Sequence, residues 1–327
     1  MEVLEVEGVR IAGIAACVPE NAVANDAKVA AATGIPARRV APDGVSLIDL
    51  CCAAAERVFK DTQSKPEEFG AILAVSFTQH ERMPCLAAQA QARLGFPKGI
   101  LAFDVMQACA GWCYGLYLAS LLVRETGKKV LLLDGDRQSE FLDASDAATS
   151  PLLSDGATAT VVEWKGTRNK EQGTSAEETF LFSFLTDGEK GGALRLAKDS
   201  TIQMDGFGVF RFVATDVVEF LKEFISSSHF STFPPFHLST FFVPHQPNVY
   251  MVRQLAKALG LADRTLISAD RFGNLASASV PTTIAANADV LAGKEATLLV
   301  SGFGGGLAIS AARISLPADC RLSVNVI

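Results

Sequence analysis

Only three Tyr and two Trp occur in 327 residues, and charged side chains make up only 20% of the chain. So little charge argues against long disordered stretches. No Lys/Arg run offers a track for phosphates, so no nucleic-acid partner is expected. No apolar run approaches the ~20 residues of a membrane span. The opening Met1-Glu2-Val3-Leu4-Glu5 lacks the basic and apolar blocks of a signal peptide. A cytoplasmic location without a membrane partner is the expectation. The seven cysteines (Cys17, Cys51, Cys52, Cys85, Cys109, Cys113, Cys320) contain no CxxC pair. Neither a zinc site nor a thioredoxin-like motif is supported. Most read as buried small hydrophobes, with room for one nucleophile.

What is present is apolar and small. Apolar residues reach 49%, with many Ala and Gly, which suits helices buried against sheets or a large buried subunit interface. The net charge of −7 is a normal soluble balance, and Arg38-Arg39 is the only compact basic pair near a motif. The length suggests two lobes. Strand and helix patterns alternate, the signature of an α/β fold. Strands are expected at Val9–Ala15, Ala71–Phe77, Leu101–Val105 (a buried one), Lys129–Leu133, Ala157–Glu163, Phe241–Val243, Thr297–Ser301 and Leu307–Ile314. Helices are expected at Ser46–Phe59, Ala87–Leu94, Cys109–Arg124, Val209–Ile225 and Val249–Leu259. The Cys109–Arg124 run is nearly all apolar, as in a central helix covered on every side. The polar stretch Lys165–Glu178 divides a half at 1–165 from a half at 179–327, and Ser226–Thr240 reads as a loop.

Three residues stand where chemistry is usually done. Cys109 lies where a strand gives way to a hydrophobic helix, so the dipole and free N–H groups favour a thiolate. A buried structural cysteine is the plain alternative, and it describes Cys113, one turn further on. His245 follows a short strand and Pro244, at the kind of strand end from which α/β enzymes present side chains to a cleft. By itself it reads more readily as a satisfied surface histidine. Asn274 follows Gly273 among small residues, which alone signals only a turn. The run Gly302-Phe303-Gly304-Gly305-Gly306 permits close backbone approach to a ligand. It is no phosphate loop, since no Lys-Ser/Thr follows.

Taken together, these segments resemble β-ketoacyl-acyl-carrier-protein synthase III, from about Ile11 to Ala312. Asp104…Ala108-Cys109-Ala110-Gly111…Tyr114-Gly115-Leu116 resembles the family's nucleophile segment. Val243-Pro244-His245-Gln246…Asn248 resembles its histidine segment, and Phe272-Gly273-Asn274…Ser277-Ala278-Ser279-Val280-Pro281 its asparagine segment. Gly302–Gly306 resembles its closing loop. Weaker matches are Thr33-Gly34-Ile35…Arg39, Met204-Asp205-Gly206…Val209-Phe210 and Asp155-Gly156-Ala157.

The resemblance implies a five-layered αβαβα thiolase fold of two pseudo-duplicated halves, generally a homodimer. It implies an acyltransferase in which the Cys109 thiolate attacks a thioester. The N–H groups of Cys109 and Gly305 would hold the oxyanion. His245 and Asn274 would bind the carbonyl of a malonyl-type extender and stabilise its enolate as CO2 leaves. No metal or redox cofactor is required, and the substrates are thioesters of acyl carrier protein or coenzyme A. Met83, Leu153, Phe210 and Asn248 fall at substrate-binding positions. The stretch Asn25–Ala32 lacks the Trp, and Ala147–Pro151 the Arg, with which the family often grips coenzyme A. Carrier protein therefore becomes an equal candidate as donor, with Arg211, Arg253 and Lys257 available to receive it. Acyl transfer to an oxygen or nitrogen acceptor without decarboxylation, and an inactive partner subunit, are the competing readings.

Overall fold

The computed structural model describes residues 1–81, 83–166, 179–227 and 240–327. The proposed linker Lys165–Glu178 and the loop Ser226–Thr240 fall for the most part outside the described residues. Two sheets face each other across a layer of helices. The first runs Arg321–Val326, Val9–Val18, Gly156–Trp164, Lys129–Asp136, Phe69–Val75, Leu101–Val105. The second runs Leu4–Glu7, Thr179–Thr186, Ala308–Leu316, Ala296–Gly304, Thr240–Pro244. From Val9–Val18 the neighbours pair antiparallel, antiparallel, parallel, and from Thr179–Thr186 the order of pairings is the same. That repetition is the structural mark of a duplicated half.

Alternation along the strands builds the layers. In Lys129–Asp136, Val130 and Leu132 face the central helices, while Leu131 and Leu133 face the outer ones. Helices Gly111–Thr126 and Ser279–Ala286 fill the space between the sheets, packed on Ile11, Leu73 and Val162 from one and Phe182, Leu298 and Val300 from the other. Helices Leu47–Thr62 and Leu86–Arg93 cover the outside of the first sheet. The outside of the second carries Val249–Ala258 and the run 206–226, in which a π-helical turn, Val213–Val217, joins Gly206–Phe212 to Val218–Ser226. The order is therefore helix, sheet, helix, sheet, helix. Local signals set the helix starts: Ser46 and Asp49 close a capping box, and Asp104 accepts Leu86 N–H at 2.7 Å and Ala87 N–H at 2.8 Å.

Two features depart from the sequence reading. The chain termini change sides: Leu4–Glu7 joins the second sheet, and Arg321–Val326, which the sequence pattern did not suggest, pairs in parallel with Val9–Val18 in the first. Leu101–Val105, expected to be buried, is an edge strand, and Leu101 is 49% exposed.

Candidate active site

Cys109 occupies the turn between strand Leu101–Val105 and helix Gly111–Thr126, closed by Gly111 N–H donating to the Ala108 carbonyl at 2.7 Å. Strand Ala296–Gly304 ends flush against this turn. A side-chain carbon at Gly304 (φ +155°) would lie 2.9 Å from Cys109 Cβ and 3.2 Å from its Sγ. Glycine is required there by contact as well as by conformation. Ser310 Oγ donates to the Ala110 carbonyl at 2.9 Å and ties the neighbouring strand to the same turn. Burial pushes the Cys109 thiol up to about 12, with Asp136 adding to the rise and the backbone N–H opposing it. The thiolate expected from a helix start is thus outweighed by desolvation, and the cysteine rests as a thiol.

His245 continues strand Thr240–Pro244, and its N–H donates to the Ser301 carbonyl at 2.6 Å. Its ring meets Phe303 edge-on at 5.3 Å between centroids, one residue before Gly304. Burial lowers its pKa to about 3, against a smaller opposing effect of the Ala276 backbone. It is therefore a neutral imidazole throughout the physiological range, not a surface histidine.

Asn274 is held from several directions. Its N–H donates to the Leu152 carbonyl at 2.9 Å, and its carbonyl accepts Ser154 N–H at 2.9 Å and Gln138 Nε2 at 2.8 Å. Gly273 (φ +70°) allows this approach, since a side-chain carbon there would lie 2.3 Å from Ser154 Oγ. Asn274 Oδ1 accepts Ala276 N–H at 2.9 Å, which leaves Nδ2 as the donor the side chain offers. Ala276 itself sits at φ +49°, a strained conformation for alanine, between Asn274 and the His245 ring. A continuous path of contacts therefore joins Cys109, Gly304, Phe303, His245, Ala276 and Asn274.

Comparison with known proteins supplies a family for this arrangement. The family 3-Oxoacyl-[acyl-carrier-protein (ACP)] synthase III matches residues 103–179, and its C-terminal counterpart matches residues 239–316. The β-ketoacyl-[acyl-carrier-protein] synthase III of Tropheryma whipplei (strain Twist) is 30% identical over 300 residues, covering 87% of this chain and 88% of the relative. The chain belongs to the synthase III family. A 3-oxoacyl-(acyl-carrier protein) synthase from Burkholderia xenovorans LB400 superposes with a TM-score of 0.90 at 27% identity, covering 100% of this chain and 99% of that one. The priming β-ketosynthase of the R1128 polyketide pathway superposes at 0.80 with 25% identity, covering 97% and 98%. The five layers are those of the thiolase fold. This synthase III is an acyl-transferring enzyme of fatty-acid or polyketide type, which condenses an acyl-cysteine with a malonyl thioester as carbon dioxide leaves.

The remaining candidate positions of the synthase scatter more widely. Gly305 lies over Ala108, with 3.4 Å between its added carbon and Ala108 Cβ. Leu153 is bridged to Asn274. Phe210, partly exposed, lies on helix Gly206–Phe212, while Asn248 Oδ1 is spent on capping Val249–Ala258 through Met251 N–H at 2.8 Å. Met83 does not reach the junction within its own chain and is 88% exposed. Three contributors escaped the sequence reading. Gly304, rather than Gly305, abuts the sulfur, and the glycine run could not say which member would. Leu194 Cδ2 comes within 3.9 Å of the same point. Gln138 donates to Ser154 and Asn274 carbonyls at 2.7 and 2.8 Å, and a single Gln in a polar stretch carries no signal of that. No group of His, Cys, Asp and Glu able to hold a metal occurs among the described residues.

Proposed function

We propose that Cys109 is the acylated nucleophile and that His245 and Asn274 bind the malonyl thioester. In the first half-reaction the sulfur attacks an acyl thioester, with the backbone N–H groups of Cys109 and Gly305 receiving the oxyanion. The Cys109 proton leaves with the departing thiol, and an acyl-cysteine remains. In the second, the neutral imidazole of His245 and Nδ2 of Asn274 donate to the extender's carbonyl oxygen. Loss of CO2 leaves the electron pair of the broken carbon–carbon bond on the enolate, which attacks the acyl carbonyl and expels the Cys109 thiolate, and an incoming proton restores the thiol. The net reaction consumes one proton. The contact path from Cys109 through Gly304 and Phe303 to His245, and through Ala276 to Asn274, carries this reading. A fixed Asn amide suits an enolate oxygen better than a role in O- or N-acyl transfer, where no such second carbonyl has to be held.

Carrier protein is the donor this reading favours. Arg253 and Lys257 lie one turn apart and exposed on helix Val249–Ala258, which directly follows the histidine segment, and Arg211 is exposed on helix Gly206–Phe212. A homodimer is supported by the exposed edge strand Leu101–Val105 with Met106, 78% exposed, at its end. The test is intact-protein mass spectrometry after mixing with an acyl-carrier protein and, separately, the matching acyl-coenzyme A at equal concentration. Acylation is expected on the wild type, faster from the carrier and slowed by salt, and absent from C109A. A mass shift that persists in C109A would move the nucleophile elsewhere, and faster transfer from coenzyme A would reverse the donor.

A further inference from the structure

Strand Lys129–Asp136 ends on two carboxyl groups that the mechanism above does not use. Asp134 and Asp136 are two residues apart and so share the face of Val130 and Leu132, toward the helix that begins at Gly111. Both are buried, at 0% and 1% exposure. Among the described residues no ion pair joins either to a Lys, Arg or His; Arg137, the next residue, is taken up by Glu140 at 2.6 Å. Asp136 Oδ1 accepts Ser76 Oγ, Phe77 N–H, Thr78 N–H and Thr78 Oγ1 at 3.0, 3.0, 3.2 and 2.9 Å, whereas its Oδ2 has no partner. Neither oxygen of Asp134 closes a hydrogen bond of good geometry, although the Ser277 hydroxyl lies near enough to favour its ionised form, and Thr158, its cross-strand partner, also carries an unpaired hydroxyl.

We propose that Asp134 and Asp136 form a buried carboxyl pair that sets how readily Cys109 gives up its proton. Two carboxylates on one strand face in a dry interior oppose each other and the thiolate alike, so keeping them neutral is what makes room for a negative sulfur. The groups facing the pair are all neutral or acidic. The nucleophile turn and its helix present Cys109, coupled to Asp136, and Cys113, coupled to Asp134. The segment Ser76–Thr78 presents hydroxyls and N–H groups, the turn Ala276–Ala278 presents Ser277, and the outer helix presents Cys51 across Gly135. Burial raises both carboxyls, Asp136 to about 7 and Asp134 well above the ordinary carboxylate range. Asp136 therefore ionises near neutrality and begins to oppose the Cys109 thiolate there. Neither group touches substrate, and neither gains nor loses a proton over a full cycle. They are positioning residues acting through the sulfur, and the proposal rests on Cys109 being the nucleophile.

The test is the pH dependence of Cys109 alkylation by iodoacetamide in the full-length enzyme, located by peptide mass mapping. In the wild type the rate should rise less than tenfold per pH unit above about pH 7, where Asp136 ionises. D136N keeps an Oδ1 for the Ser76–Thr78 donors, and its rate should rise tenfold per unit and exceed wild type by about tenfold at pH 8. Superimposable profiles would overturn the coupling while leaving the nucleophile in place. Label found away from Cys109 would remove both. A second measurement does not depend on how D136N folds: the infrared difference between wild type and D134N at pH 7 should contain a protonated-acid carbonyl band. A carboxylate band in its place overturns the proposal.

Discussion

Cys109 and His245 meet at one junction, both buried, and their pKa values move in opposite directions. Burial lifts the thiol to about 12 and drops the imidazole to about 3, so each is held in its neutral form. Their surroundings differ. His245 is packed on the Phe303 ring, and burial drives its shift against the smaller opposing effect of the Ala276 backbone. Cys109 stands over an acidic strand end, and Asp136 adds to its shift. The histidine side is therefore a fixed set of neutral donors, insensitive to pH near neutrality. The cysteine side is electrostatically coupled to a group that titrates near 7. One half of the site is preorganised and the other adjustable, which fits a cycle in which only the sulfur changes its bonding.

The largest expected effect separates the two sides. H245A and N274A should each lower condensation by about 10²–10³-fold, the scale of losing a preorganised donor, while acylation of Cys109 stays close to wild type. Single-turnover condensation with a malonyl thioester and intact-mass acylation read the two steps independently. If either mutant condenses normally, the donors are not acting on the enolate.

An intermediate effect probes the seam between the sides. The added methyl of G304A would stand 3.2 Å from Cys109 Sγ, and displacement of the sulfur should slow acylation by up to about 10²-fold. G192A, where an added carbon meets nothing within 4 Å, should change nothing. Equal acylation rates in the two variants would mean that the strand end can retreat from the nucleophile without cost.

The smallest effect is on stability, and its sign differs across the junction. The Asp136 pKa is raised from ~3.9 in the unfolded chain to about 7, so its contribution is fully present below ~3.9 and is lost as pH rises toward 7. The His245 pKa is depressed from ~6.5 to about 3, so the unfolded state takes up the proton first and stability is lost as pH falls from ~6.5 toward 3. In thermal unfolding between pH 4 and 8, D136N should flatten the decline on the alkaline side, and H245Q should flatten it on the acid side. A D136N curve parallel to wild type would place the Asp136 pKa near that of an ordinary carboxylate.

Much of the fold is legible in the order of residues alone. Apolar runs bounded by turns mark Leu101–Val105 to the residue and place the Gly111–Thr126 helix within two residues at each end. Hydrophobic periodicity reports an element wherever one face or all faces are buried, and this chain is rich in both kinds. The strand Arg321–Val326 was not legible, because its Arg is exposed, its Ser and Asn are half-exposed, and its partner is more than three hundred positions earlier in the chain. The exposure of Leu101–Val105 was hidden for the opposite reason, since an apolar edge strand has the composition of a buried one.

At the site, the order of four segments and their resemblance to the synthase III family were enough to nominate Cys109, His245 and Asn274, each of which alone had a plain structural reading. Their environment was not. Whether a helix start yields a thiolate depends on the balance of N–H groups against desolvation, and only packing from both sheets tipped it toward the thiol. That Gly304 rather than Gly305 abuts the sulfur, and that Gln138 locks the Asn274 backbone, are long-range contacts without local pattern. The same holds for Asp134 and Asp136, whose spacing marks a strand face but not which layer that face meets. Sequence determined which side chains were available and on what elements. The tertiary structure decided their charge states, because burial and neighbouring charge come from segments far apart in the chain.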